Sequence, residues 1–390
     1  MLSQRLSIIC GYVVIRWSVL RDFCDQMNRH MLYYLLLSPH SKNGPNSYFP
    51  NNVVLIENMR ANFLTQAKCD FWRLWEISNA RDVTKQIDRI YGMLGLASEN
   101  FRRKVPVEYG PSGNGDLRKT LIICAKACIE EDPTLALLSM IEDGSDDIEL
   151  PSWCPRLEKG HSIRRRLDRT LQAGYFLHDQ RPSQVVTYSS TDTISIHGFR
   201  VDKIASVVHD TMHTLADSSQ DVQKWYQHNK SCLSEYLKLA QRTYNKPTSI
   251  PMAHLYTLTQ SMQSHNTESA ERLRKIYEDF IESMEVLYEN GNEEHPSAAD
   301  IAEFHMFYET MTKTCNGRRY FSTVGGRVGI GPSGIRPGDT VCVFDSAGPL
   351  FVLREGINRR LVGETYVHGL MRLEETLKKP HGKNERFQIA

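Results

Sequence analysis

Apolar side chains recur at Trp17, Leu20, Cys24, Met27, Met31 and Tyr34, in steps of three and four that place them on one face of a helix over residues 16–37. Asn43-Gly-Pro-Asn-Ser47 breaks that pattern. A second helical stretch is predicted from about Ile56 to Ile77, around Met59, Phe63, Phe71, Trp72 and Trp75. A third holds Ile87, Ile90, Tyr91 and Leu94, with Asp82 or Thr84 as its cap. Asp116 caps a fourth, whose inner face is Leu117, Leu121, Cys124, Ala125 and Cys128 and which Pro133 ends. Pro151-Ser-Trp-Cys-Pro155 then fixes an extended segment, because proline sets its own φ and biases the residue before it away from helix.

From about residue 184 the period shortens to two. Gln184–Tyr188, Thr193–His197 and Val201–Val208 are short, β-branched and separated by turn residues, so they read as antiparallel strands. Strand patterns resume at Tyr320 and continue through Val328–Ile330, Thr340–Phe344, Leu350–Leu353 and Arg360–Val367, punctuated by Gly, Pro and Asp. Between the two sets, Val222, Trp225, Tyr226, Cys232, Leu233, Tyr236, Leu237 and Ala240, and then Leu273, Ile276, Tyr277, Phe280, Ile281, Met284 and Leu287, predict helices. The expected fold class is α+β. A mainly helical region (1–155) precedes a small antiparallel β-barrel or sandwich built from residues 156–216 and 317–376; a helical insertion (217–316) interrupts it, and a flexible tail (377–390) follows.

Composition narrows the functional classes. At 390 residues, 41% hydrophobic and 24% charged, the chain can bury a sizeable interior. A net charge of +1 from 47 basic and 46 acidic residues gives no global pull toward nucleic acid, a membrane surface or acidic partners. Arg164-Arg-Arg166 is too short a cluster to change that, and reads as a solvated loop or helix start. Leu6–Ile15 is an apolar run too short to span a bilayer, without a small-residue cleavage site, and is expected as a buried strand or helix segment. Nine scattered cysteines with no Cys-x-x-Cys favour reduced thiols and a soluble, cytoplasmic protein. Cys124 and Cys128, four apart, are expected as apolar core thiols.

No chemistry-bearing motif survives inspection. Gly329-Ile-Gly-Pro-Ser-Gly334 spells a dinucleotide fingerprint, but Pro332 and Pro337 deny it the helix it needs, so turns between strands are expected. His209-Asp-Thr-Met-His213 follows a strand, offers no third ligand and reads as surface histidines. There is no Gly-x-Ser-x-Gly elbow, and the adjacent pairs Glu130-Glu131, Asp146-Asp147 and Glu293-Glu294 point to different faces. Catalytic residues, cofactors and metals are therefore all expected to be none. A polar site built from Arg354, Glu364 and His368 is the one alternative to ordinary packing, with Glu364 and His368 on one strand face and Tyr366 opposite. Gly338-Asp339 reads as a hairpin turn; Gly92 and Gly95 read as close packing or a C-terminal turn; Asp88 reads as a cap or a partner of Arg89 or Arg81.

Asp88-Arg-Ile-Tyr-Gly-Met-Leu-Gly-Leu-Ala97 and Gly363-Glu-Thr-Tyr-Val-His-Gly-Leu-Met371 together resemble the middle and tail of fungal heterokaryon incompatibility (HET) domain proteins. The pieces between them are similar to that family's motifs and stand in its order: Leu150-Pro-Ser-Trp-Cys-Pro155, Arg319-Tyr-Phe-Ser-Thr323, Gly325-Gly-Arg-Val-Gly-Ile-Gly-Pro332, Gly338-Asp-Thr-Val341 and Pro349-Leu-Phe-Val-Leu-Arg354. Near the start, Ile9-Cys-Gly11 and Ile15-Arg-Trp17 also look like family sequence, whereas Lys85-Gln-Ile-Asp88 keeps only the last acid of the usual Asp-Pro-Arg-Asp. The motif residues carried over are Asp88, Arg89, Tyr91, Gly95, Leu96, Pro151, Trp153, Gly326, Gly329, Gly338, Asp339, Arg354, Gly363, Glu364, Tyr366, His368, Gly369 and Met371, read as structural.

The resemblance implies a role in fungal allorecognition, with a protein partner in a signalling pathway that ends in cell death. The Leu-Ser-Tyr and Trp-Ile-Asp blocks of the family's N-terminal part are not in this sequence, so residues 1–155 read as the C-terminal part of a HET domain and the chain as a shortened homologue, a truncated gene product or a C-terminal fragment. Two alternatives to an interaction protein follow: a truncated or decayed copy without independent activity, exposing apolar surface around Trp17, Trp72 and Trp75, or an enzyme with a pocket between the helical region and the β-module. Oligomeric state is left open.

Overall fold

The computed structural model describes residues 7–29, 70–79, 83–110, 115–142, 150–157, 186–213, 222–260, 267–289, 314–345, 347–356, 359–371 and 384–390, together with 53, 56–57, 60–61, 307 and 310–312. The expectations for Met31, Tyr34, Arg81, Asp82, Arg164–Arg166, Asp146-Asp147 and Glu293-Glu294 fall outside these residues.

A short hairpin opens the chain, β1 (Ser7–Cys10) against β2 (Val13–Arg16), followed by α1 (Trp17–Arg29). This hairpin occupies the segment expected to be buried, yet Ile9, Tyr12, Val13 and Val14 are all exposed. Next come α2 (Phe71–Asn79), α3 (Asp88–Tyr91), a 3₁₀ turn (Leu94–Leu96), α4 (Glu99–Lys104), α5 (Leu117–Glu131) and a second 3₁₀ turn (Ala136–Met140). Asp116 accepts from the Lys119 amide and caps α5 as expected, and Ser98 caps α4 by accepting from Phe101. Trp17, Trp72 and Trp75 are themselves buried, while Val13, Val14, Val19 and Phe23 near Trp17 are exposed; Trp17 donates to Glu57 at 2.6 Å and Trp72 to Asp132 at 2.9 Å.

The β-module is a closed antiparallel barrel. Strands β4 (Ile194–Val207), β5 (Arg318–Thr323), β6 (Val328–Pro332), β9 (Arg360–Val367), β8 (Leu350–Arg354) and β7 (Thr340–Phe344) pair in that order, and β7 returns to β4. The segments expected as two strands, 193–197 and 201–208, are one strand of 14 residues. Register shifts near Val201 and Ala205 bend it, so that Gly198–Lys203 pair with β7 and Ile204–Val207 with β5. Gly198 reads as a turn in the sequence but is a close-approach residue: a Cβ there would overlap the carbonyl oxygen of Val343. Gly198→Ala should cost about 1–3 kcal/mol; an unchanged urea midpoint would mean the strands do not meet this closely.

β3 (Val186–Tyr188) and β10 (Glu385–Ile389) both pair with the first half of β4. The tail expected to be flexible thus ends in a strand, with Phe387 and Ile389 buried. Gly338-Asp339 is not a hairpin turn either. It lies between β6 and β7, which are not neighbours, and Gly338 has φ +94°.

Among the described residues between β4 and β5 lie helices α6 (Val222–Thr243), α7 (Met252–Thr259) and α8 (Thr267–Glu289). The barrel wall is apolar on both faces. Val341, Val343 and Val352 join a core with Trp225, Tyr236, Leu255 and Phe280 of these helices. Cys342, Phe344, Phe351 and Leu353 join a second core with Trp75, Leu121, Cys124 and Trp153 of the helical region. Strands covered on both faces read as continuous apolar runs, which is why Thr340–Phe344 and Leu350–Leu353 stand out in the sequence. Among the described residues, no helix is long and apolar enough to cross a membrane.

Candidate functional site

The helical region, the barrel and the insertion meet at a seam between β6 and β9. These strands pair through Gly329 with Val367 and Ile330 with Tyr366, and the His368 amide donates to the Val328 carbonyl at 2.9 Å and the Thr365 hydroxyl to the Ile330 carbonyl at 3.0 Å. Beyond that point β6 ends in Pro332, which has no N–H to give, and a register shift in the β8–β9 ladder leaves Val362 as an extra residue next to Gly363. Gly363 has φ +142°, and a Cβ there would overlap the Ile141 carbonyl oxygen and lie 2.7 Å from Pro332 Cγ. Only glycine fits. Into this gap comes Glu142, which forms an antiparallel bridge with Gly363.

The local sequence aims Glu142 there. After α5, Asp132 accepts from the Thr134 amide at 2.9 Å, and Leu135 takes a left-handed conformation at φ +56°. The chain then makes the 3₁₀ turn Ala136–Met140 and arrives extended at Ile141.

Arg318, at the start of β5 and paired with Pro332, reaches the same point from the barrel. Its side chain is only 4% exposed. Nη2 donates to Glu364 Oε1 at 3.1 Å and lies 3.8 Å from Glu142 Oε1, while Nη1 is buried with no hydrogen-bond partner among the described residues. Glu364 is 1% exposed. The Arg318 carbonyl lies 3.5 Å from the hydroxyl of Tyr236 on α6, whose ring stacks on Tyr320 at 4.9 Å. One guanidinium therefore faces two carboxylates in a water-poor setting, where each charge depends strongly on its partners.

The other polar motif residues lie elsewhere. Arg354 donates to both Asp339 oxygens at 3.0 and 2.9 Å and to the Gly334 carbonyl, and Asp339 also accepts from the Arg336 amide. The ring of His368 stacks on Tyr256 of α7 at 5.7 Å and 3°. Burial, and secondarily the Arg327 charge, lowers its pKa to about 4. The Arg354–Glu364–His368 site therefore does not assemble. The expected faces were also wrong: residues two apart share a strand face, so Glu364 lies with Tyr366, and His368 sits in the turn after β9 beside Gly369, φ +79°.

Trp153 and Ser152 make a second joint. Trp153 donates to the Asp192 carbonyl at 2.9 Å, while Ser152 Oγ accepts from the Leu361 amide at 2.9 Å and donates to the Ala390 carbonyl. Pro151 is buried beside them.

In the helical motif, Arg89 is 2% exposed and donates to the carbonyls of Ser78 and Asn79. It does not pair with Asp88, which accepts from the Tyr109 hydroxyl at 2.7 Å. The Tyr91 hydroxyl accepts from the Glu108 amide at 3.1 Å. Gly92 is the C-cap of α3, its amide donating to the Asp88 carbonyl of its own turn, and a Cβ on Gly95 would meet nothing within 4 Å, so no contact there requires glycine. Leu96 packs partly buried against the second core. Gly326 takes φ +73° in the β5–β6 turn; a Cβ on Gly329 would overlap the Tyr366 carbonyl; Met371 Sδ lies 3.5 Å from the Val367 amide.

Residues 208–213 are not helical, so His209 and His213 are not one turn apart; His213 stacks on His228 at 4.9 Å. Among the described residues no cluster of His, Cys, Asp or Glu could hold a metal ion. A cleft of about 340 Å³, counting its open mouth, lies between α6 and α8 and is lined by Trp225, Leu233, Phe280 and Met311 among others. A second, of about 270 Å³, lies beside Pro106, Glu108 and Lys119. Neither sits between the helical region and the barrel.

A family model described as the Het-6 beta-barrel domain matches residues 192–387, half of the chain, from the first half of β4 through β10. The chain belongs to this family. Among characterised relatives of this Het-6 barrel protein is heterokaryon incompatibility protein 6, OR allele, of Neurospora crassa, 23% identical over 335 residues that cover 74% of this chain and 48% of the relative. The chain thus spans about half the length of that relative. No solved structure matches.

Sequence reasoning missed Arg318 and Glu142. Neither carries a signal that separates it from a surface charge: Arg318 is one of an Arg-Arg pair before a strand, and Glu142 opens an acidic stretch.

Proposed function

We propose that this Het-6 barrel protein acts in fungal allorecognition as a non-catalytic interaction or regulatory component of a cell-death response. The likeness to a heterokaryon incompatibility protein supplies the biological setting. The observation that carries the non-catalytic part is how its polar motif residues are used. Arg354 and Asp339 brace one end of the barrel, and Glu364 with Arg318 joins β9 to β5 next to the helical region. Such groups position parts of a protein against one another, as an interaction scaffold requires.

Deleting the gene in its source fungus and scoring vital-dye uptake in fusion cells tests this. The proportion of dead fusion cells should change several-fold against one or more tester strains. Identical proportions across a panel of incompatible testers would rule the role out.

A further inference from the structure

The seam between β6 and β9 is an incomplete piece of sheet held by a segment from outside the barrel. Ile141 and Glu142 supply what a neighbouring strand would: a backbone bridge to Gly363 and a carboxylate toward Arg318. The ion pair in that self-contact is long. The carboxylate stands 3.8 Å from Nη2, against 3.1 Å for Glu364, and Nη1 of a side chain 4% exposed is left without a hydrogen-bond partner among the described residues. A buried guanidinium nitrogen with no acceptor calls for one, and an extended chain crossing Gly363 with an acid at the Glu142 position is the shape that brings it.

We infer that this seam is a docking slot for an extended peptide segment bearing an acidic residue, and that Ile141–Glu142 is the chain's own occupant of it. The partner is a protein strand, because Gly363 leaves room for a peptide backbone where any side chain would overlap Ile141. Its side chain is a carboxylate, because Arg318 is the cation that faces it. Docking displaces only the 141–142 segment. Ile141 must leave the apolar core that the helical region shares with β7 and β8, while Leu135, Leu137 and Leu138 of that core keep the helical region in place.

The inference deepens the interaction role proposed above and rests on it only for its biological meaning, because binding is read directly. A fluorescein-labelled Ser-Met-Ile-Glu-Asp-Gly peptide, the sequence of residues 139–144, is titrated with the full chain and followed by anisotropy. In the wild type the tethered segment competes at high effective concentration. Glu142→Ala removes that competing carboxylate and leaves the Arg318–Glu364 pair intact, so its affinity for the peptide should rise at least tenfold. Replacing the peptide's Glu by Gln should lower affinity for the Glu142→Ala chain at least tenfold, a control that leaves the protein's folding untouched. Equal binding by wild type and Glu142→Ala, equal binding of the Glu and Gln peptides, or no binding to either chain would overturn the slot. Any of these with fusion-cell death still dependent on the gene would remove the slot and leave the allorecognition role standing.

Discussion

Acidification from pH 7 to pH 4.5 should cost this protein about 3 kcal/mol of stability through His254 alone, growing to about 4 kcal/mol by pH 3. His254 on α7 is wholly buried; its Nδ1 lies 3.2 Å from the Tyr320 hydroxyl, and Nε2 has no hydrogen-bond partner among the described residues. The ring lies edge-on to Tyr277, so nothing charged stands ready to receive a proton's charge. Burial lowers its pKa from 6.5 to about 3. In the unfolded chain the imidazole takes up a proton near 6.5, in the folded protein only near 3. Between those values the unfolded state binds more protons, so stability is at its full value above pH 6.5 and falls with pH through that window. Domains of this kind hold about 5–15 kcal/mol in total. Urea midpoints at pH 7, 5.5 and 4.5 read the loss, and His254→Gln should flatten it. An equally steep decline in that variant would place the acid sensitivity elsewhere.

Glu364→Ala should destabilise the protein by about 3–5 kcal/mol, because it strands a buried guanidinium. Among the described residues Arg318 would keep only Glu142, at 3.8 Å, while its Nη1 already has no hydrogen-bond partner there. Replacing both members, Arg318→Met with Glu364→Met, should be close to neutral, since no charge then needs compensation in the interior and Glu142, with a fifth of its side chain exposed, can face water. Chemical denaturation of the two single variants and the double gives the coupling. A single-variant loss below about 1 kcal/mol would mean that water reaches Arg318 and that the seam is wetter than described.

Much of the wall of this barrel was legible in the sequence, and its closure was not. Val341, Val343, Leu350 and Val352 alternate with equally apolar neighbours, so β7 and β8 announced themselves as strands covered on both faces. β4 was split in two because Gly198 and Arg200 interrupt its apolar pattern, although the first is a close approach and the second pairs with Glu355 and Glu385. α7 was overlooked since Ala253–Thr259 is buried on every side and shows no period of its own. In β10 the alternation of Phe387 and Ile389 was present but lay between charges that suggested a loose end. The polar site failed for a different reason. Which carboxylate meets which guanidinium depends on a register shift beside Gly363 and on a segment from the helical region, and neither leaves a trace in local spacing.

The long bent β4 sets an order of events during synthesis. Its first three residues can pair at once with β3, but residues 198–207 wait for β5 and β7, and β5 begins only at residue 318. At roughly 5–20 residues per second, that strand leaves the ribosome with unpaired edges for on the order of ten seconds. The intervening helical segment can lengthen at little thermodynamic cost, about 0.6 kcal/mol per doubling of the loop it closes, yet every added residue extends the wait. Recovery of this protein in living cells is therefore governed less by its final stability than by how well a single open strand is shielded until its partners arrive.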